Sequence, residues 1–576
     1  MRNIRLCGCL LAVAVAVEPA RGSPAQGVAD EQSRQESFQA QSADQTPAGA
    51  QASYVLDRII AQENNLVRSL VNYRPRVETY IQDFRLDPAL GTVPAGDHYY
   101  LGALDFRGGL KEQSLLPGPR GGRRALAGMA TEISRLYGLH FQPQAFAYTI
   151  VMDVGRFDLQ HYGFTLVRRE FLGSVRCLVF DVVPRQHAGT GLFKGRLWVE
   201  DQDYHIVRFN GTYATHPKFE YYFHFDSWRQ NLQPGLWLPV YVYTEETKLK
   251  YNVLRSASFK AQTRLWGYDL ASARHQQTLT WVVVDAPAKV DDTSPAAQPP
   301  SPIEGQRAWQ RQAEENVLDR LEGAGLLAPP GDVDQVCATV VNNLVVTSQL
   351  DTLPAIHCRV LLTVPLESLA IGYTIVVSRG LIDVLPDEAS LAMELAHELA
   401  HIALGHTQNE FDTRFAFYDR TLVPDDQLLR VLDFHRTSQE EEAADRKSVE
   451  LLRSSPYRDK LASAGLFLKA LSATSVHTPR LLGPHLGDRL AQSSRFGNLA
   501  DLMNIAPQLQ PARLDQLAAL PLGARILLDS WSGRVSLVKP VAIALISPRE
   551  KKPFEITPLF PFLTRLPSPA TDPNRN

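Results

Sequence analysis

One stretch near the middle of the chain restricts its folding more than any other: Met393-Glu-Leu-Ala-His397-Glu398-Leu-Ala-His401-Ile-Ala-Leu-Gly405-His406. Ala and Leu occur there at helical density, with Pro386-Asp387-Glu388 upstream as a helix start, Asp387 at the N-cap, and Gly405 as a stop. On such a helix, imidazoles four residues apart differ by about 40° in azimuth and share a face. Histidines and a glutamate on a short apolar helix are costly to bury unpaired, so the remainder of the fold has to bring them partners. Two imidazoles on one face can grip a single metal ion. Glu398, next to the first of them, is then placed to take a proton from water at that ion.

A catalytic zinc takes three protein ligands and keeps a position open, so a third ligand must come from elsewhere in the chain. The metzincin spacing would put Gly and His at positions that here hold Leu404 and Thr407, which disfavours that class. Downstream, Ser438-Gln-Glu440-Glu441-Glu442-Ala-Ala-Asp445-Arg446, followed by Leu451-Leu452, reads as a second helix carrying carboxylates. Glu441 and Asp445 share a face of it. One can bind the metal while the other accepts the N–H of a ligating histidine and fixes its tautomer.

His-Glu-x-x-His with a following Gly-His, then Glu441-x-x-x-Asp445, resembles the gluzincin peptidases of metallopeptidase family forty-eight, which include the heat-shock protease HtpX and the CAAX prenyl endopeptidases. The resemblance spans roughly residues 305 to 495 and implies a zincin-type helical metallopeptidase domain with a small edge sheet. It implies His397, His401 and Glu441 as ligands of one Zn2+ per chain, Glu398 as general base, and Asp445 behind a ligand. The runs Val360–Val364 and Tyr373–Ser378, with Arg379-Gly-Leu-Ile, resemble the family's strand and turn before the active-site helix. In the family that strand borders the cleft, where an extended polypeptide substrate can add as a further strand. Three positions depart from the pattern: Ser368-Leu369 stands where Asn-Ala is often found, Ser448 where Gly is expected, and His485-Leu-Gly-Asp-Arg489 only faintly echoes a late His-Pro and Arg.

The amino terminus bears on location. Arg2 and Arg5 precede an apolar stretch over residues 6–17, and Ala20-Arg-Gly22 offers small residues before a cut at Ser23. Residues 1–22 therefore read as a signal peptide, which implies a periplasmic or extracellular protein. The apolar stretch falls short of the roughly twenty residues that span a bilayer, and no other stretch reaches that length. Cys7 and Cys9 leave with the signal. Cys337 and Cys358 could bridge in an oxidising compartment, and Cys177 reads as a buried thiol.

A length of 576 residues with 44% hydrophobic content implies several domains, and a net charge of −3 argues against electrostatic capture of nucleic acid. The expected class is α+β multidomain, the helical domain being joined to an amino-terminal antiparallel β-rich, half-barrel-like one. Residues 23–53 read as a disordered lead. Residues 54–285 read as a domain that begins with a helix over 54–84 and continues in strands at Tyr148–Met152, Arg176–Val183, Gly195–Val199, His205–Phe209, Tyr221–Phe225 and Leu238–Tyr243. Its Lys194-Gly-Arg-Leu-Trp-Val-Glu-Asp-Gln-Asp-Tyr-His-Ile-Val-Arg resembles the repeating hairpin of LolA-like lipoprotein-sorting proteins, which implies an apolar cavity and lipid or lipoprotein as an alternative partner. Residues 286–306 form a Pro-rich linker, 307–500 the metallopeptidase domain, and 501–576 a small β-hairpin unit and tail. By the resemblance to the peptidases, the substrates would be polypeptides such as misfolded envelope proteins. A non-enzymatic envelope chaperone is the rival reading.

Overall fold

A computed structural model describes residues 48–567 apart from 89–90, 108–110, 117–147, 154, 187, 190, 214–223, 253–254, 271–301, 351–352, 407–423, 425–426, 433, 483–498, 511–524 and 539–553. Residues 1–22, expected to be a signal peptide, most of the expected lead and linker, His485 to Arg489 and the apolar run Val541–Ile546 lie outside the described residues. Met1–Leu56 forms a unit apart, of which only the start of the first helix is described; the second unit, Asp57–Asn576, holds the rest of that helix and every other described element.

Helix α1 (Ala48–Leu70) ends well before residue 84, and the chain then enters strand β1 (Arg76–Asp87). Pro75 explains the break, because a proline disfavours helix at the residue before it and contributes no amide hydrogen. The helical reading of 71–84 is thereby corrected. β1 hides its identity in sequence because Glu78, Thr79 and Gln82 are as buried as Tyr80 and Ile81. No polar and apolar alternation survives.

Ten strands form one antiparallel sheet in the order β3-β2-β1-β10-β9-β8-β7-β6-β5-β4, and its ends do not close on each other. β2 is Gly91–Asp105, β3 Lys111–Ser114, β4 Tyr162–Leu172, β5 Val175–Pro184, β6 Phe193–Glu200, β7 Ile206–Tyr213, β8 Phe225–Gln233, β9 Leu236–Asn252 and β10 Arg255–Trp266. The strand readings at 176–183, 195–199, 205–209 and 238–243 fall inside β5, β6, β7 and β9, save His205, which precedes β7. Tyr148–Ile150 is instead a single 3-10 turn, and of Tyr221–Phe225 only Phe225 belongs to a described strand.

The remaining elements build around a smaller sheet. Helices α2 (Pro302–Gly323) and α3 (Asp332–Thr347) precede β11 (His357–Leu361), β12 (Ser368–Ile371) and β13 (Thr374–Ser378). Their order is β11-β13-β12, with β11 parallel and β12 antiparallel to β13, so β12 is an edge among the described strands. Then come α4 (Arg379–Val384), α5 (Glu388–Ala403), α6 (Leu428–Val431), α7 (Ser438–Ser454), α8 (Leu461–Thr474), α9 (Pro479–Leu482) and α10 (Ala500–Ile505), and an antiparallel pair, β14 (Ile526–Leu528) and β15 (Val535–Leu537). α4 lies so close to the turn after β11 that a Cβ on Gly380 would fall 1.7 Å from Val364 O. Only glycine fits there, and the close approach sets the path into α5.

Buried polar contacts join the large sheet to this second layer. Trp266 Nε1 donates to Gly325 O at 2.7 Å, and Glu78 on β1 accepts from Val364 N at 2.7 Å and from Arg379 Nη2 at 2.8 Å. The final described segment, 554–567, is fixed along the large sheet: Gln82 binds Phe554 O and Ile556 N at 2.7 and 2.8 Å, and Asn231 Oδ1 accepts from Leu566 N at 2.7 Å. Cys177, Cys337 and Cys358 are buried free thiols, each pushed by burial above the ordinary thiol range, the first two to about 12. Among the described residues no helix is long and apolar enough to cross a membrane.

Candidate metal centre

The local signals around α5 act as the sequence suggests. Asp387 caps the helix, accepting from Ser390 N at 2.9 Å, and Gly405 at φ +68° ends it in the left-handed conformation that favours glycine. Between these stops His397 and His401 stand on one face, each 1% exposed, with their Nε2 atoms 3.2 Å apart. The turn at Gly405 folds the chain back on the helix. As a result His406 Nδ1 lies 2.9 Å from His401 Nδ1.

α7 packs against α5 and selects among its three consecutive glutamates. Glu440 is spent in a capping box, its carboxylate receiving Thr437 N and Oγ1 at 2.9 and 2.8 Å. Glu442 has a side chain 47% exposed beside Arg446. Glu441 points inward: Oε2 is 3.4 Å from His397 Nε2 and Oε1 is 4.0 Å from His401 Nε2. Asp445, one turn further on and 0% exposed, places Oδ1 2.9 Å from His397 Nδ1.

His397, His401 and Glu441 are the one group among the described residues whose ligand atoms converge as a metal requires, all within 4.8 Å of one another. A tetrahedral zinc with bonds of about 2.0–2.1 Å separates its ligand atoms by about 3.3–3.4 Å. The two Nε2 atoms at 3.2 Å and His397 Nε2 to Glu441 Oε2 at 3.4 Å lie at that value, while the other Glu441 oxygen is 4.0 Å from His401 Nε2. Two imidazoles and one carboxylate are also a donor set that zinc accepts. The residues present therefore fit the ion.

Residues 369–418 match the family model described as Peptidase family M48. The match supports a zinc-dependent metallopeptidase of family M48. It covers α5 with His397, Glu398 and His401 and stops short of α7, so Glu441 and Asp445 join the M48 segment through the fold rather than through the match. No curated protein matches the chain.

Around the M48 segment the structure adds three residues to which sequence reasoning gave no role. His406 backs His401, and its position in the Gly-His after the motif was the available signal. Burial holds its imidazole below the ordinary histidine range. Ser368, noted in the sequence only as a departure, donates from Oγ to Glu398 Oε1 at 2.7 Å, with both residues at most 1% exposed. Arg436, just before the cap of α7, reaches Ala370 O on β12 at 3.4 Å, and no pattern announced it. The departure at Ser448 is absorbed locally, its hydroxyl donating to Asp445 O at 2.8 Å.

Proposed function

We propose that this chain is an exported zinc-dependent endopeptidase of the HtpX and CAAX-endopeptidase kind, with polypeptides as substrates and envelope protein quality control as its setting. The observation that carries the proposal is the convergence of His397, His401 and Glu441 from two helices, with Glu398 one residue from the first ligand. In this reading zinc, when bound, supplies the Lewis acidity that polarises a scissile carbonyl and acidifies water.

The protein's own residues do the rest. His397 and His401 offer Nε2 to the ion, and the partners on their Nδ1 atoms, Asp445 and His406, hold the rings and their tautomers. Glu398 takes the proton from the attacking water and returns it to the leaving amine, so one carboxylate serves both halves of the hydrolysis. The buried surroundings of Glu398 exclude competing solvent on its helix side.

Metal content and casein cleavage test the proposal on wild type, Glu398→Gln and His397→Ala. Glu398→Gln is expected to keep zinc and lose cleavage by at least about a hundredfold, and His397→Ala to lose both. Full proteolysis by Glu398→Gln would refute the assignment.

A second reading is lipid or lipoprotein binding at a half-open cleft of about 1100 Å³, whose lining mixes Leu232, Val240 and Phe560 with Arg264, Arg379 and Asp529. Mass spectrometry of organic extracts from the purified protein tests it; extracts free of lipid at stoichiometric level would remove its support.

A further inference from the structure

The base is held by a residue of the edge strand. We infer that Ser368 is a positioning residue for Glu398, and that it acts from the strand beside which an extended substrate would lie. The inference rests on the peptidase reading above.

Two directions meet at Ser368. β12 pairs with β13 in the register Ser368↔Val377, Leu369↔Val376, Ala370↔Ile375, and Ser378 N donates to Glu367 O at 2.9 Å. The pair Glu367 and Ser378 is therefore a hydrogen-bonded one, and by alternation Ser368 and Ala370 occupy non-bonded positions. Their main-chain N–H and C=O groups point away from β13, towards the side of β12 on which no strand among the described residues pairs with it. The contact from Arg436 Nη2 to Ala370 O lies on that side, as the alternation requires.

The side chain of Ser368 turns instead to the helix, where its hydroxyl holds Glu398 Oε1. A glutamate carries three side-chain torsions, and a buried hydrogen bond of 2.7 Å to one oxygen selects among them. The proton that moves is assigned to the other oxygen. One residue thus turns its main chain away from β13 and fixes the base with its side chain, so the path of β12 and the placing of Glu398 are tied together at Ser368.

The test uses the full-length, zinc-loaded chain with Ser368→Ala and Ser368→Thr. Five quantities are read: kcat, KM, zinc per chain, melting temperature, and the position of the Glu398 carboxylate in a crystal structure. Ser368→Ala is expected to lower kcat about 10- to 100-fold, because a misplacement near 1 Å carries that penalty, and to leave KM and zinc content at wild-type values. Its Glu398 carboxylate should be displaced, and Ser368→Thr, which keeps the hydroxyl, should recover most of kcat and the wild-type position.

Wild-type kcat in Ser368→Ala, or an unmoved carboxylate, would overturn the inference. Equal losses in both variants together with lost zinc or a lowered melting temperature would also overturn it, by showing a packing role. A wild-type chain without zinc or without cleavage is a separate result that refutes the peptidase reading and takes this inference with it.

Discussion

Glu78 on β1 and Arg379 at the start of α4 form an ion pair with a separation of 2.8 Å and side chains 1% and 0% exposed. The same carboxylate accepts from Val364 N and Tyr99 Oη, so one strand of the large sheet satisfies three donors, two of them in the segment that leads to the metal-centre helix. Burial pushes the Glu78 carboxyl above its usual range while Arg379 pulls it back. Breaking a buried pair by removing one partner costs about 3–5 kcal/mol. Glu78→Ala is expected to lower unfolding stability by that amount in chemical denaturation, and a loss below about 1 kcal/mol would contradict the role given to the pair. A fragment beginning at residue 305 lacks Glu78 and is expected to show no cooperative unfolding transition.

Asp445 lies behind the donor set, its Oδ1 2.9 Å from His397 Nδ1. Removing such a partner typically costs 10–100-fold in metal affinity. Asp445→Ala is expected to weaken zinc binding by about that factor in chelator competition. An affinity within twofold of wild type would contradict the arrangement.

The three consecutive glutamates should separate cleanly. Glu441→Gln is expected to abolish tight zinc binding because it removes a ligand. Glu440→Gln is expected to act on the helix cap, costing about 0.5–2 kcal/mol of stability with zinc affinity intact. Glu442→Gln should change neither, since its side chain is 47% exposed and pairs with Arg446 across a turn. Isothermal titration on the three variants checks the order, and a zinc defect confined to Glu440→Gln would reverse the assignment.

His98 and Asp83 give a pH dependence far from the centre. The hydrogen bond from His98 to Asp83, at 3.1 Å, raises the His98 pKa above its ordinary 6.5 against the opposing effect of burial. A histidine whose folded pKa is raised contributes stability that is fully present below the unfolded value and fades as pH rises through the folded one. Both side chains are more than a third exposed, so solvent screening limits the pair to less than about 1 kcal/mol. Asp83→Asn is therefore expected to lower the melting temperature slightly near pH 5.5 and not near pH 9. An equal loss at both would show that charge is not the cause.

The parts of this molecule legible in sequence are those that local periodicity controls. The shared face of His397 and His401 follows from helical spacing, as does that of Glu441 and Asp445 on a second helix, whereas the choice of Glu441 over Asp445 as ligand came from the resemblance to the peptidases. Strands β5, β6, β7 and β9 announced themselves through β-branched and aromatic runs. β1 did not, because Glu78 and Gln82 sit inside the sheet and are satisfied by Arg379 and by the chain at Phe554 and Ile556, hundreds of residues away in sequence. The same holds for Ser368: its contact with Glu398 is made across the fold, and nothing next to it in sequence reports which way its hydroxyl faces. His406 lay within the motif run, but its role depends on the left-handed turn at Gly405, which only the folded chain reveals.

The most direct test is a crystal structure of the zinc-loaded chain with anomalous diffraction collected at the zinc edge. The account predicts one strong peak about 2.0–2.2 Å from His397 Nε2, His401 Nε2 and a Glu441 oxygen. A stoichiometric zinc peak elsewhere in the molecule, or one at this place without Glu441 among its ligands, would contradict it.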